Sequence, residues 1–267
     1  MPTHYRTATE SIEIAARRHF FAAAPAEFGC DILNLPGTEA TLLSALAMPS
    51  PIMNRVIGLP GDAPLDAATL AQIRHAFRAR GIPQFWFHAW DGPDDVALRD
   101  SLHAHGCAPC GAWIKFACEL DAALPDAPPP SSLRVRRARD DECGIAGQIM
   151  CDSFGMPPLL VPWMAALAGR PAWQVYVACD AHDVPVATGT LFIDGAHAWL
   201  GMAATLPAAR QQGSQHALIA VRLAAARAAG CTLAAVEADA STGSSLNNIV
   251  RGGFRAVGTR LNYLCES

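Results

Sequence analysis

The sequence has few charged residues, and it contains no long apolar run. Charged residues make up 16% of the 267 positions, and the net charge of −4 argues against a nucleic-acid binder that relies on bulk electrostatics. No apolar run reaches the roughly 18 to 20 residues of a membrane-spanning helix. Residues 1–18 carry charges from the first turns onward and no continuous apolar segment, so no signal peptide is predicted. We therefore expect a cytoplasmic protein without a membrane or nucleic-acid partner.

A paired cysteine framework is also missing. The nine cysteines are odd in number and scattered along the chain, which predicts reduced thiols and agrees with a cytosolic location. Apolar residues account for 51% of the sequence, which is enough for a sizeable core and too much for a disordered chain. At this length the chain forms one large domain or two domains of ordinary size.

A proline-rich segment, residues 124–132, separates two halves of similar size. Its three consecutive prolines stop any helix and favour an extended linker. The expected domains are residues 1–123 and 133–267. The pattern of the second half predicts the element order β-α-α-β-β-β-α-β-α-β-β. The pattern of the first half predicts helices over 66–80 and 94–105 and strands over 20–21, 52–59, 84–89 and 112–120.

The most informative stretch is residues 210–218, which connect a strand to a long helix. An apolar strand, 198–206, leads into a polar loop with Arg210 and Gly213 and then into a helix over 212–229. Backbone N–H groups at the positive end of a helix dipole suit a phosphate or a pyrophosphate. Arg210 adds a cation at the rim. The stretch therefore predicts an anion site, with an ordinary polar helix start as the alternative.

Residues 245–254, Ser-Leu-Asn-Asn-Ile-Val-Arg-Gly-Gly-Phe, form a second motif one predicted strand later. Together the two motifs resemble the GNAT superfamily of acyl-CoA-dependent N-acyltransferases. In that family a strand ends near a proline, Arg/Gln-x-x-Gly-x-Gly/Ala opens a long helix, and Ser-x-x-Asn and Gly-Phe follow the next strand. Pro207, Arg210 and Gly213 match the first motif, and Gln215 stands where the second glycine or alanine usually lies. The resemblance covers about residues 133–264.

The resemblance implies a mixed α/β fold with two GNAT-like domains in tandem, each a central mixed, splayed β-sheet flanked by helices. Residues 1–123 would form a degenerate GNAT-like or accessory domain that packs on the catalytic domain and walls off the acceptor pocket. Phe154, Met156 and Trp163, which follow the first helix of the second half, would complete that pocket or belong to the core.

The resemblance also implies acetyl-CoA as a co-substrate, and no metal. Backbone groups of the strand would pair with the pantetheine arm, and one N–H of this strand would polarise the thioester carbonyl. The N–H groups of the loop would hold the pyrophosphate beside Arg210. Gln215 would narrow the approach of the phosphate and add an amide donor. The implied cofactor-binding residues are Ala203, Ala204, Thr205, Arg210, Gln211, Gln212, Gly213, Ser214, Gln215, His216 and Asn248.

Transfer of an acyl group to an amine needs a base and an acid. Many members of the family use a tyrosine as the acid, but Ile249 occupies that position here, so Tyr263 and Ser245 are the candidate substitutes. Glu237 is the candidate base, because it is a carboxylate near the end of an otherwise apolar strand. The alternative is that Glu237 is a solvated strand-end carboxylate. Further base candidates are Asp239, Asp194 and His197.

Two other functions are compatible with the sequence. The missing tyrosine and the altered second glycine favour a non-catalytic acyl-CoA-binding or regulatory protein. The spacing of His103, His105, Cys107 and Cys110 is compatible with a structural zinc site, although no second cysteine or histidine pair accompanies it. For an enzyme, the acceptor is an amine of a small molecule or peptide, and the sequence specifies neither that acceptor nor an oligomeric state.

Overall fold

The computed structural model describes residues 3–38, 40–120 and 133–267, which form a mixed α/β fold. Its helices are α1 (Thr3–Ala22), α2 (Ala67–Ala79), α3 (Val96–Ala104), α4 (Cys143–Phe154), α5 (Leu160–Ala165), α6 (Ser214–Ala228) and α7 (Gly243–Arg251). Its strands are β1 (Cys30–Asn34), β2 (Thr41–Ala45), β3 (Arg55–Ile57), β4 (Gln84–Trp90), β5 (Ala108–Glu119), β6 (Arg134–Arg137), β7 (Trp173–Cys179), β8 (Pro185–Asp194), β9 (His197–Thr205), β10 (Leu233–Asp239) and β11 (Arg255–Glu266). Within the described ranges, no helix combines the length and the apolar character that a membrane crossing requires.

The described residues fall into two compact units that alternate along the chain. Those of unit 1 lie within Met1–Ala16, Phe116–Glu237 and Thr242–Ala256. Those of unit 2 lie within Arg17–Lys115, Ala238–Ser241 and Val257–Ser267. The proline-rich segment 124–132 lies outside the described residues, so the domain boundary that it suggests stays a prediction.

Unit 1 contains strands in the order β10-β9-β8-β7-β6. Neighbours from β6 to β9 are antiparallel, whereas β10 runs parallel to β9. The hairpin between β8 and β9 turns at Gly195, whose φ of 55° suits a tight turn. The rings of Trp173, Phe192 and Trp199 pack together in the core. The element order predicted for the second half is confirmed, except that its last two strands are the single strand β11.

Unit 2 contains strands in the order β1-β2-β3-β4-β11. Strands β3 and β4 are parallel, and the other neighbouring pairs are antiparallel. Alternate residues of β4 and β11, among them Phe85, Phe87 and Tyr263, are buried in one core. Phe77 of α2 stacks on Phe85 in this core, with ring centroids 4.2 Å apart. Strand β4 lies over the predicted strand 84–89, and it contributes Phe85 and Phe87 to this core.

The first half departs from the prediction at its beginning. Residues 20–21 lie in α1 and not in a strand, because Ile12, Ala16 and Phe20 recur every four residues and are each buried on a helix. The sequence pattern also does not reveal β1 and β2. All five residues of β2 are buried, so this strand lacks the alternation that marks a half-exposed strand.

Cys107 and Cys265 form a disulfide in unit 2, so the prediction of nine reduced thiols is wrong for these two residues. Cys107 follows α3 and Cys265 lies in β11, and both are buried in the same core. They are 158 residues apart in the sequence, and only the tertiary fold brings them together. The other seven cysteines form no disulfide.

The sequence contains one lysine, Lys115, and the fold buries it. Lys115 lies in β5 and is 2% exposed. Since a lysine side chain is seldom buried completely, its position in the strand interior is unusual.

A partly buried ion pair anchors the start of α4 in unit 1. The Glu142 carboxylate accepts hydrogen bonds from both terminal nitrogens of Arg136, at 2.6 and 2.8 Å, and from the Arg139 backbone N–H at 2.9 Å. The Arg136 hydrogen bonds lower the pKa of Glu142 from 4.5 to about 2. Because the Glu142 side chain is 5% exposed, water screens this pair little.

We expect Glu142→Gln to lower the free energy of unfolding by about 3 kcal/mol at neutral pH. The pKa of Glu142 is lower in the folded state, so its contribution is present above pH 4.5 and is lost as the pH falls toward about 2. Thermal unfolding of both proteins between about pH 7 and pH 3 should therefore show a gap in Tm that narrows in acid. Asp141→Asn is the matched control, because Asp141 is 80% exposed. A gap that stays constant across this pH range would contradict the assignment.

Candidate functional site

Strands β9 and β10 are paired over only part of their length. Their parallel register runs from His197↔Leu233 to Leu200↔Val236. Both strands continue beyond this register, β9 to residue 205 and β10 to residue 239. The recorded pairing therefore ends at Leu200 and Val236. We call the side of β9 that faces β10 beyond this point, along residues 201–205, the gap.

Strand β9 contains a bulge beside this gap. Between Gly201 and Ala204, β9 has two residues, Met202 and Ala203, where β8 has only Gly189. Met202 has a φ of 46°, a left-handed value that is rare for a residue with a side chain. Bulges and left-handed residues of this kind redirect backbone groups and are frequent next to functional sites.

The loop after β9 enters α6 through two left-handed residues. Gln211 has a φ of 65° and Gly213, the N-cap of α6, has a φ of 78°. The first bond of the helical ladder runs from the Ala217 N–H to the Gly213 carbonyl, at 3.0 Å. The N–H groups of residues 214–216 precede this bond and have no acceptor within the helix. This helix end therefore has the properties of an anion site.

Thr205 connects the end of β9 to the first turn of α6. Its Oγ1 lies 3.1 Å from Ser214 Oγ and accepts a hydrogen bond from Gln215 Nε2 at 2.9 Å. The Gln215 amide, which the sequence offers as an additional phosphate donor, here donates to Thr205. Gln215 thus ties the loop to the strand, a role that its place in the motif does not reveal.

Arg210 lies exposed at the rim of the loop. Its Nε donates to the Thr205 carbonyl and its Nη2 donates to the Ser153 carbonyl at the end of α4, each at 3.4 Å. Both bonds are long, so the guanidinium keeps a position from which it can also meet an anion. Ser153 is a neighbour of the loop that the sequence pattern does not identify.

Glu237 occupies the point at which the two strands diverge. It directly follows Val236, the last residue of β10 in the parallel register, and it is half-buried. The exposed Asp239 carboxylate accepts hydrogen bonds from the N–H and Oγ of Ser241, at 2.8 and 2.5 Å. The other two base candidates lie in the hairpin at the opposite end of β9, Asp194 and His197. Glu237 is therefore the candidate nearest the gap, and its role as a base stays a prediction.

Helix α7 contains the other motif residues. Ser245 lies exposed in its first turn, and Asn248 is half-buried one turn later. Ile249, at the position of the family's tyrosine, is 4% exposed. At Gly252 the helix approaches α6 so closely that an added Cβ would lie 2.6 Å from Ile219 Cγ2. The position that usually supplies an acid is therefore part of the hydrophobic packing.

Tyr263, the other candidate acid, belongs to the core of unit 2. It is 1% exposed, and its hydroxyl lies 3.4 Å from His103 Nε2. Burial raises the pKa of its phenol above the ordinary value. The residue thus keeps its proton at neutral pH, and its role in proton transfer stays a prediction.

The four residues of the alternative zinc site do not converge. Cys107 is joined to Cys265. His103 Nε2 lies 3.4 Å from a phenol oxygen, His105 Nε2 lies 3.0 Å from a backbone carbonyl oxygen, and Cys110 is exposed. In the part of the chain that the structure describes, no group of three or more histidine, cysteine and acidic side chains is placed to hold a metal ion. The described residues therefore give the zinc hypothesis no support.

The three apolar residues expected near an acceptor pocket have different environments. Trp163 is fully buried. It therefore belongs to the core, the second of the two places predicted for it. Phe154 is 61% exposed, and Met156 is half-buried. Phe154 directly follows Ser153, the residue that Arg210 contacts. Phe154 and Met156 remain candidates for a surface that receives an acceptor.

Arg222 of α6 is a residue of this site that the sequence motifs do not include. It is 2% exposed, and its Nη1 donates to the carbonyls of Thr190, at 3.0 Å, and of Gly201, at 3.5 Å. One feature of the sequence indicates the unusual position of Arg222. Helix α6 is apolar nearly all round, so a charged residue on it has to be buried or at the rim.

Several solved structures share this fold. A GCN5-related N-acetyltransferase from Kribbella flavida is 19% identical over 94% of each chain, with a TM-score of 0.66. One from Sphaerobacter thermophilus is 16% identical over 88% of this chain and 82% of its own, with a TM-score of 0.66. A tandem GNAT protein from the clavulanic acid biosynthesis pathway is 15% identical over 85% of this chain and 78% of its own, with a TM-score of 0.60. In sequence, the chain matches no family profile and no curated protein. The chain therefore has the fold of the GCN5-related N-acetyltransferases, as its two motifs predict.

Proposed function

We propose that the protein is an N-acetyltransferase that moves an acetyl group from acetyl-CoA to an amine of a small molecule or peptide. One observation carries the proposal. Strand β9 leaves its parallel neighbour and leads through the left-handed residues Gln211 and Gly213 into the N-terminus of α6. A gap beside a strand edge suits an extended pantetheine arm, and a helix N-terminus suits a pyrophosphate. The likeness of fold agrees with this arrangement.

The residues at this place fit such a co-substrate. Gly213 has no Cβ that would keep a phosphate from the backbone N–H groups. Arg210 supplies a positive charge at the rim. Residues 203–205 form a strand edge that can pair with an extended chain as an added strand does. Asn248 lies on the following helix, half-buried. The first turn of α6 is fixed by Thr205, which pre-organises the loop for binding.

The chemistry of the transfer can be assigned to groups of this chain. When bound, acetyl-CoA supplies an activated acetyl thioester. Glu237 accepts a proton from the incoming ammonium, directly or through water. A backbone N–H of the bulge in β9 donates to the carbonyl oxygen that becomes negative as the amine adds. Ser245 and Tyr263 are the candidate donors of the proton that a leaving thiolate takes.

A non-catalytic acyl-CoA-binding protein is the second candidate function. The observation that favours it is Ile249, which is buried where the family's tyrosine would reach the site. Such a protein would hold the same ligand at the same loop without turning it over.

Two measurements separate these functions. Calorimetric titration with acetyl-CoA reports binding, and chromatography of free CoA in the presence of a panel of amines reports turnover. Binding with amine-dependent release of CoA supports the transferase. Binding without release for any amine supports the binding protein, and a lack of binding contradicts both.

We expect Gly213→Ala to raise the Kd for acetyl-CoA about tenfold, the effect of losing one charge-assisted hydrogen bond of roughly 1.5 kcal/mol. The new Cβ lies at a backbone position with a φ of 78° and stands where a phosphate would approach the N–H groups. Calorimetry measures the change.

Gly230→Ala is the matched control for this variant. Gly230 follows the other end of α6, has a φ of 85° and has open space around its Cβ position. It therefore imposes a comparable backbone strain without touching the loop, and it should lower the Tm while leaving the Kd unchanged. Equal Kd values for the two variants would place the pyrophosphate elsewhere.

A further inference from the structure

Arg222 is the most deeply buried cation of α6, and all of the acceptors around it are backbone carbonyls. Its Nε donates to the Leu218 carbonyl one turn earlier in the helix, at 3.0 Å. Its Nη1 donates to the carbonyls of Thr190 on β8 and Gly201 on β9, at 3.0 and 3.5 Å. Burial lowers the pKa of the guanidinium to about 10, so it remains charged at neutral pH. A buried charge held this way costs desolvation energy, so a hydrophobic residue would serve packing at least as well.

The guanidinium meets the sheet at the bulge of β9. Gly189, the single residue of β8 opposite the bulge, would place a Cβ 2.8 Å from Arg222 Cζ. Thr190 Oγ1 donates a second hydrogen bond to the Gly201 carbonyl, at 3.0 Å. The absence of a side chain at Gly189 thus makes room for Arg222, and two donors hold the carbonyl that precedes Met202.

The orientation of one N–H follows from this anchor. The carbonyl of Gly201 and the N–H of Met202 belong to the same planar trans peptide and point in opposite directions. Since the carbonyl is held by groups on β8 and α6, the Met202 N–H is directed away from them. On that other side of β9, β10 has left the register after Leu200. The Met202 N–H therefore faces the gap.

We propose that Arg222 is a positioning residue, which holds the Gly201 carbonyl so that the Met202 N–H donates to the carbonyl oxygen of an acyl thioester lying in the gap. The inference rests on the proposed function, because it requires acetyl-CoA at this place. It gives a structural role to Met202, which has a left-handed φ, and to the buried charge of Arg222. Neither residue belongs to the family motifs. Arg222 does not touch the ligand, and it acts through the backbone of β9.

Infrared spectroscopy of bound acetyl-CoA labelled with ¹³C at the acetyl carbonyl tests this without an acceptor amine. In the wild-type protein, the hydrogen bond from Met202 should shift the carbonyl stretch of the bound molecule to lower wavenumber than that of free, equally labelled acetyl-CoA. Arg222→Met retains the length of the side chain and removes its donors, while the Thr190 hydrogen bond to the Gly201 carbonyl stays. The shift should therefore become smaller, while the Kd, set mainly by the pyrophosphate loop, changes little. Arg222→Lys can reach one carbonyl at most, so its shift should be intermediate. Arg227→Met, on the same helix one turn further, should keep the full shift.

Gly189→Ala tests the same anchor without removing the arginine, and it also serves if Arg222→Met does not fold. The added Cβ displaces the guanidinium from the bulge, so the shift should become smaller in this variant too. A full shift in folded, ligand-bound Arg222→Met or Gly189→Ala would overturn the inference. A wild-type protein that binds acetyl-CoA without any shift would overturn it and leave the proposed function standing. A wild-type protein that does not bind acetyl-CoA would overturn both.

Discussion

Replacing Glu237 by glutamine lowers kcat by about 100-fold or more and leaves the Kd for acetyl-CoA unchanged, because a positioned base contributes that much to a proton transfer. Glu237 follows the last paired residue of β10, where the gap opens, and it is half-buried. Glutamine preserves its shape and its capacity for hydrogen bonds but not its basicity. The measurement uses an amine that supports CoA release in the panel, with kcat from initial rates and Kd from calorimetry.

Asp239→Asn is the matched control for the loss of a carboxylate from the same strand. The Asp239 side chain is exposed, and its carboxylate accepts hydrogen bonds from Ser241, two residues further on. Its substitution should leave kcat within the error of the wild-type value. If Asp239→Asn and Glu237→Gln reduced kcat equally, the effect would be one of local charge. An unchanged kcat in Glu237→Gln would remove this residue from the mechanism.

The Cys107–Cys265 disulfide should make the largest single contribution to stability among the features described. It closes a loop between residues 158 positions apart. Loop-closure entropy assigns about 5 kcal/mol to a cross-link of this span, since the reduced, unfolded chain regains that freedom. We expect Cys265→Ser, or reduction of the wild-type protein, to lower the Tm by about 10 °C for a chain of this size.

Cys110→Ser is the control for the disulfide, because Cys110 lies close to Cys107 in sequence and is free and exposed. Its Tm should match that of the wild-type protein, and a reductant should lower the two equally. Thiol titration of the denatured, unreduced protein should find seven reactive groups. Nine reactive groups, or a Tm that does not respond to a reductant, would contradict the contribution assigned to this bond.

The sequence was sufficient for the elements whose signals are local. Gly230 ends the predicted helix over 212–229, and it follows α6 at a position that requires a positive φ. The helix begins at Ser214, two residues after the predicted start, because Gly213 is its left-handed N-cap. The two motifs around α6 and α7 were likewise enough to predict the GNAT fold. Ile249 at the place of the tyrosine was visible as a departure, and the structure adds that it is packed in the core.

The remaining features depend on contacts between distant parts of the chain. The anchor between Arg222 and Gly201 joins residues 21 positions apart, and nothing in the helical pattern indicates which carbonyl a buried guanidinium meets. The bulge at Met202 arises from the pairing of β9 with β8, and its sequence, Gly-Met-Ala-Ala, is that of an ordinary apolar strand. Tertiary packing determines which carbonyl a side chain contacts and how two strands pair, and a single sequence does not show this packing.

The burial of Lys115 leaves the surface of the protein without a lysine amine. A thioester such as acetyl-CoA can acetylate an exposed lysine ε-amine. Here the sequence has no second lysine, and Lys115 is 2% exposed in β5. Lysine self-acetylation should therefore be negligible in the folded protein. Acetyl transfer measured with an added amine then has no competing acceptor among the lysines of the protein, and lysine-directed coupling reagents will need an introduced residue to attach the protein to a support.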